Sequence, residues 1–370
     1  MLFKVPETFK LHLERNSIQL YLSEGDILSK TVETGRNNYY EKELWKEIEE
    51  FLRDKLSSME KIFYCYTAAD KKEMQEIIDQ VMTRGKRLRP ILLLLSGSIE
   101  PYEPGEEILI KAAAAAELVH TASLIHDDVI DSSATRRGKP TINYKWGNIS
   151  AVLAGDFIFA RAFELLSDCQ ELHLNESFTR AISMMCQGEI AQSKLIFDTI
   201  QDETQYLDNI YCKTAVLMET CCGAGASLSG LDRSSIGKLK EFGKYFGLAF
   251  QIVDDLLDVT APSSLTGKPA VKDLQEGVIT LPLIYVLQDP VWGPYLKDAI
   301  EKRDFSPSSL EFLQHPSCRG GPIKSALLKA EDYILKAENT LRGYPQGRAV
   351  KSLKALAELM RLHNNSTLQE

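Results

Sequence analysis

The chain has 370 residues, 44% hydrophobic and 26% charged, with a net charge of −9, which is the composition of a globular protein long enough to bury a sizeable core. The acidic balance argues against a nucleic-acid partner, because a phosphate backbone would be repelled everywhere except at a local basic patch. Seven cysteines without CxxC spacing or an even framework argue against structural zinc and disulfides, and fit reduced thiols in a cytoplasmic protein.

The opening residues, MLFKVPETFKLHLERN, carry charges throughout, so neither a secretory signal nor a membrane span is expected. Residues 1–38 read as a polar N-terminal extension to a single domain at 39–370. Helical periodicity then runs over 42–58, 74–83, 88–98, 108–130, 149–166, 177–199, 210–227, 234–258 and 280–287, with one or two more amphipathic helices in 323–362. Breaks fall at Gly/Pro/Asn/Asp/Ser clusters at 100–105, 132–140, 229–233, 261–269 and 315–322. Pro282 is tolerated near the start of a helix capped by Thr280, where its missing N–H costs nothing. Strand alternation is rare, and the expected architecture is one large all-α domain. The stretch 108–130 is lined with small side chains, Ala112 to Ala116 and then Thr121, Ala122 and Ser123, which implies close helix packing, a cavity, or both on different faces.

One acidic pattern occurs twice inside these apolar, helix-periodic stretches: Asp127-Asp128-Val129-Ile130-Asp131 and Asp254-Asp255-Leu256-Leu257-Asp258. The i,i+4 spacing sets Asp127 above Asp131, and Asp254 above Asp258, on single helical faces, so each pair can offer oxygens to a shared Mg²⁺. One such cluster alone is more often a solvated helix face. Two copies, the second approached by the apolar run Phe246 to Val253, favour metal binding over solvated charge. Mg²⁺ keeps several waters and is typically held by one or two carboxylates plus substrate phosphates, so two clusters facing each other predict a diphosphate held through metal ions. Basic residues suited to such an anion stand nearby: Arg84 to Arg89, Arg136-Arg137-Gly138-Lys139, Lys213-Thr214, Lys268 and Lys272. Arg87 is expected only to complement a helix end or pair with a surface Glu. His120 and His126 default to core or surface histidines. No Ser/His/Asp order, P-loop or GxGxxG is present, which leaves nucleophilic catalysis and nucleotide binding without support.

These motifs, in this order, resemble the trans-prenyltransferases, or polyprenyl diphosphate synthases, and among them the longer-chain bacterial members. The resemblance covers roughly residues 74–287. It implies an all-α bundle of the isoprenoid synthase type with a central cavity. The implied activity is Mg²⁺-dependent, head-to-tail condensation of isopentenyl diphosphate with an allylic diphosphate. Matched position by position, GKRLRP and ELVHTASLIHDD give Lys86, Arg89 and His120 as the isopentenyl diphosphate clamp, joined by Arg137. Asp127 and Asp131, with Asp128, become metal ligands on one side; Asp254, with Asp255 and Asp258, on the other. Arg136 meets the allylic diphosphate, Gln251 lies near the allylic group, Lys213 (beside Thr214) and Lys268 neutralise the leaving diphosphate, and Gln187 stabilises positive charge.

The chain departs from the family pattern at Lys272, where glycine is usual, and at Val278, where lysine is common; altered affinity is expected from both. Ala122 and Ser123 stand where short-chain members carry a bulky aromatic, so a product longer than farnesyl is expected, with its tail stopped near Leu118, Val119 or a facing helix. The resemblance also implies a homodimer, a possible small partner subunit, and a product that reaches the membrane surface. Two other readings are a non-catalytic or conditional subunit and a geranylgeranyl diphosphate synthase. A terpene cyclase would share the aspartates but lack the GKRLRP clamp.

Overall fold

The computed structural model describes residues 37–81, 85–99, 106–260 and 271–366, so the expected N-terminal extension and Lys268 lie outside the described residues. The helices of two turns or more are α1 (Asn37–Thr67), α2 (Lys72–Val81), α3 (Leu88–Ser96), α4 (Glu106–Ile130), α5 (Ile142–Asp168), α6 (Leu172–Ser193), α7 (Glu203–Ile210), α8 (Val216–Leu228), α9 (Arg233–Thr260), α10 (Leu281–Gln288), α11 (Gly293–Lys302), α12 (Lys324–Thr340) and α13 (Arg348–Ser366). The strands described form one two-stranded antiparallel ribbon, β1 (Thr135–Arg136) and β2 (Lys139–Pro140).

Helix α4 is the axis of the bundle. Ala112 to Ala116 are fully buried, as are Leu118, Val119 and Ala122, so α1, α3 and α5 pack closely around it. For Ala112 to Ala116, small side chains therefore mean close helix packing. By length and composition α4 could cross a membrane, but 67% of its apolar window is buried inside the bundle, as in a core helix of a soluble fold. Helix α9 packs against α8 on one side and α12 on the other, and α3 rests on α8. The ends of α4 and α9 that carry the acidic patterns are thus held by helices on several sides.

Local chemistry sets most boundaries. Asp202 caps α7 through a reciprocal capping box, its carboxylate accepting from the Gln205 amide at 2.8 Å while the Gln205 side chain accepts from the Asp202 amide at 3.0 Å. Thr280 occupies the cap of α10 with proline in its first turn, as expected. Several boundaries differ from the sequence reading, α1 and α5 running longer than the expected 42–58 and 149–166. The helix expected over 177–199 stops at Ser193, and α7 and α11 lie where no helix is expected. The helix expected from Ile210 opens with a π-helical turn, Tyr211–Ala215, which carries Lys213 and Thr214. Such wide turns insert one extra residue per hydrogen-bonded ring and re-aim the side chains they carry.

Candidate active site

On the basic side, the three cations of GKRLRP do different things. Arg87 takes a left-handed backbone (φ 53°) at the entry to α3 and turns inward. Its guanidinium meets Glu60 of α1 at 2.6 Å and Glu117 of α4 at 2.7 Å, and covers the Phe63 ring at 4.9 Å. It is a buried, doubly paired charge, which corrects the expectation of a surface pair. Arg89 Nη1 donates to His120 Nε2 at 3.0 Å, while its buried Nε has no hydrogen-bond partner. Burial, and then Arg89, Arg137 and Arg136, hold His120 well below the usual histidine range, so it stays a neutral acceptor. Burial also works against the Arg89 charge, with Arg137 adding to the strain. Lys86 extends its ammonium over the Trp45 ring of α1 at 5.8 Å. The unmet buried Nε of Arg89, beside a neutral His120 and the Arg137 charge, suits an anion.

The β1–β2 ribbon supplies the remaining cations. Arg137 (φ 52°) and Gly138 (φ 74°) form its two-residue turn, both left-handed, the pattern a tight hairpin demands. The turn aims Arg136 back to Asp128, Nε to Oδ1 at 2.8 Å, and sends Arg137 over Gly85.

On the acidic side, Asp127 and Asp131 sit at the C-terminal end of α4, where the helix dipole already disfavours negative charge. Burial raises the Asp127 carboxyl to about 6, opposed by Lys213 and aided by the like charges of Glu189 and Asp131. Burial likewise raises Asp131, with Glu276 and Glu189 adding to the effect and Lys213 and Lys272 opposing it. Lys213 reaches in from the π turn, 3.0 Å from Glu189 and 3.4 Å from the Gln192 side-chain Oε1. Burial works against its charge, but Glu189, Asp127 and Asp131 outweigh this and hold the ammonium above its usual range. Gly188 allows this approach, since a Cβ there would lie 2.6 Å from the Cys212 Cβ.

The second cluster is used differently. Asp255 is only 3% exposed and accepts from the Tyr206 hydroxyl at 2.6 Å and the Gln251 amide at 2.8 Å; Gln251 in turn accepts from the Thr214 hydroxyl at 2.8 Å. Burial raises Asp255 well above the carboxylate range, with Asp273 adding to it. Asp258 accepts the amides of Lys272 and Asp273, each at 3.2 Å, and so begins the one-turn helix Lys272–Gln275. Asp254 is half-buried and adds negative charge to Asp255 and Asp273. Lys272, 2.8 Å from Glu276, acts on Asp131 and Asp128 of the first cluster as well as on Asp273. The two acidic groups therefore share one charged neighbourhood instead of pointing apart.

Three expectations need correction. Asp255 is committed to Tyr206 and Gln251 and is not presented as a metal ligand. The Thr214 hydroxyl is buried against Gln251 and is not presented to substrate. Gln187 is exposed, its amide bonded back to Ser183. Two residues along a helix turn the side chain by about 200°, so Glu189 and Gln192, not Gln187, face Lys213. These partners, like Tyr206, Glu60 and Glu117, meet their sites from distant parts of the chain and carry no local signal.

Among the described residues, no three acidic, histidine or cysteine side chains converge closely enough to enclose a metal ion. The donor set nonetheless fits a hard divalent cation: Asp127, Asp131 and Asp254 offer only oxygen, Asp127 under repulsion from Asp131 at a helix end, with the Lys213 ammonium beside both. A cation shared with diphosphate oxygens needs no complete protein cage.

An all-α bundle that gathers arginine and lysine charges beside two carboxylate clusters suits phosphorylated substrates. A model of the polyprenyl synthetase family matches residues 71–314. Heptaprenyl diphosphate synthase component 2 of Bacillus subtilis is 35% identical over 309 residues, covering 83% of this chain and 88% of that protein. A decaprenyl diphosphate synthase structure from Rhodobacter capsulatus superposes with a TM-score of 0.79 at 30% identity, covering 86% of this chain and 98% of that one. A polyprenyl synthase from Caulobacter crescentus, solved with calcium and isoprenyl diphosphate, gives the same TM-score of 0.79 at 30% identity, covering 86% of this chain and 97% of that one. The chain belongs to the polyprenyl synthetase family and is a prenyltransferase.

Proposed function

We propose that this chain is a long-chain polyprenyl diphosphate synthase, joining isopentenyl diphosphate to an allylic diphosphate and extending the product beyond farnesyl. The carrying observation is the nearness, at the end of α4, of the Arg89–His120–Arg137 group to Asp127, with Lys272 acting on Asp131 of the first cluster and on Asp273 beside the second. In this reading Arg89, Lys86, His120 and Arg137 grip isopentenyl diphosphate, and Lys213, Arg136 and Lys272 face the allylic diphosphate. The allylic carbon–oxygen bond breaks with its electron pair going to diphosphate. The isopentenyl double bond then attacks that carbon, and the proton lost from the new chain passes to the departing diphosphate. Asp127, Asp131 and Asp254 would hold Mg²⁺, which supplies positive charge to the diphosphate oxygens. Lysine and arginine stabilise the same developing charge by preorganised contact. Relatives with calcium and isoprenyl diphosphate bound support a divalent cation and this substrate class.

Product length rests on the relatives' names and on Ala122, fully buried, and Ser123, half-buried, one turn before Asp127. Incubation with isopentenyl diphosphate, allylic primers and Mg²⁺ should give products longer than farnesyl, and Ala122→Phe should shorten them; a mainly farnesyl product from the parent overturns the long-chain reading. Geranylgeranyl as the end product would select the shorter alternative.

A homodimer is favoured by the exposed apolar residues Ile149, Val152 and Leu153 on α5, of which Ile149 is 79% exposed. The B. subtilis relative's designation as a component makes a small second subunit the other assembly to test, by assaying the chain alone and with added cell extract. All seven cysteines are unpaired, in keeping with a cytoplasmic location.

A further inference from the structure

The segment between α6 and α7 contains a residue ill suited to the backbone it adopts. Phe197 is left-handed (φ 58°), a conformation in which the side chain crowds the following carbonyl. Its surroundings hold it there. The Phe197 amide donates to the Gly277 carbonyl at 2.7 Å. Its ring lies 3.2 Å from the guanidinium carbon of Arg303 and stacks on Phe305 at 6.0 Å with planes 4° apart. Gly277 is buried and also left-handed (φ 90°), and a Cβ there would lie 2.5 Å from Ile196 and 2.7 Å from the Phe197 ring. Both partners are thus fixed by shape as well as by a hydrogen bond.

Gly277 ends the short segment that carries Lys272, Asp273 and Glu276. Asp258 holds the start of that segment through the amides of Lys272 and Asp273. Inside it, Val278 N–H donates to the Asp273 carbonyl at 2.8 Å. Phe197 is the anchor at the other end, on an element that sequence periodicity assigns to a continuous helix. We propose that Phe197 is a positioning residue: with Gly277, Arg303 and Phe305 it latches the Lys272–Glu276 turn at the height from which Lys272 meets the allylic diphosphate. Phe197 touches no reacting atom and acts through the turn it holds.

The inference rests on the proposed allylic site, so its test includes a readout that needs neither substrate nor metal. Amide hydrogen exchange in the ligand-free Phe197→Ala protein should speed up at Asp273 and Val278 by about tenfold or more, while the α4 amides stay at the parent rate. Steady-state kinetics should show the KM for the allylic diphosphate rising about tenfold, with the KM for isopentenyl diphosphate within about twofold of the parent. Phe197→Tyr, which keeps the ring, should restore both. Unchanged exchange at Asp273 and Val278, or equal acceleration throughout the bundle, overturns the latch. Faster local exchange with an unchanged allylic KM overturns the positioning role and leaves the prenyl transfer reading standing. If the parent shows no prenyl transfer, the exchange result still decides the latch while the functional reading fails.

Discussion

The two aspartate clusters share one pattern and meet different fates. In the first, Asp127 and Asp131 lie toward Lys213, and only Asp128 is engaged by a neighbour, Arg136 at 2.8 Å. In the second, Asp255 is sealed against Tyr206 and Gln251 and Asp258 caps the adjoining turn at 272–275, while Asp254 is half-buried and adds negative charge to Asp255 and Asp273. A repeated motif need not repeat its chemistry. Its first aspartate is the ligand candidate in both copies, its second is held by protein donors in both, and its third depends on the segment beyond the helix end. A cluster of three carboxylates would be costly if all three had to wait unpaired for a cation; tying one or two to protein donors limits that cost.

The largest expected effect comes from the first aspartates. Asp127→Asn and Asp254→Asn should each lower kcat by about 10²–10³-fold, the scale for losing one strong electrostatic contact to a developing charge. Equal activity in either variant would end the proposed ligand roles. For Asp127 the stability should move the opposite way. Its folded carboxyl stands at about 6 against an ordinary 3.8, so the unfolded state ionises first as pH rises. Native stability is therefore lost between those values and stays level above them. At about 1.4 kcal/mol per tenfold, Asp127→Asn in EDTA should gain on the order of 1–3 kcal/mol at pH 7 and nothing below about pH 4, read from urea midpoints.

Asp255 should respond in the reverse sense. Asp255→Ala leaves the buried Tyr206 hydroxyl and Gln251 amide without their acceptor, a loss of about 1–3 kcal/mol. Thr214 and the π turn that carries Lys213 are joined to the same chain of bonds, so the KM for the allylic diphosphate should rise with it. Asp255→Asn keeps the shape and one acceptor and should recover much of the stability. If Asp255→Ala is as stable as the parent and as inactive as Asp127→Asn, Asp255 is a ligand and the contrast between clusters fails.

Much of the fold and site was legible without coordinates, because helix period and charge pattern are local properties. The long helices and the two acidic patterns follow from spacing within one or two turns, whereas the clamp of Lys86, Arg89 and His120 was implied by the family resemblance, since Arg89 and His120 meet from different helices. The features that escaped depend on partners far along the chain. Arg87 looks like another surface cation until Glu60 and Glu117 arrive from helices on either side. Asp255 looks like its sequence twin Asp128 until Tyr206, 49 residues away, donates to it. Phe197 lies in a stretch whose apolar period continues a helix, and only contact with Gly277 and Arg303 explains why the backbone turns left there. Gln187 belongs with these, because only the contact of Lys213 with Glu189 shows which face of α6 meets the site.

The smallest expected effect tests the same contrast at its weakest point. Asp128 carries the second position of the first cluster, but its partner Arg136 keeps 38% of its side chain exposed. A pair open to solvent on one side is worth about 0.5–1 kcal/mol, well short of the loss expected at Asp255. Asp128→Asn should therefore cost at most about 1 kcal/mol in urea denaturation, since Asn143 still holds the Asp128 carbonyl and keeps the turn in place. Arg136 loses its aim, and the KM for the allylic diphosphate should rise about two- to fivefold, the same free energy expressed as binding, with kcat near the parent. A fall in kcat on the scale of Asp127→Asn would instead place Asp128 among the ligands, and the first cluster would then use all three of its carboxylates where the second uses one.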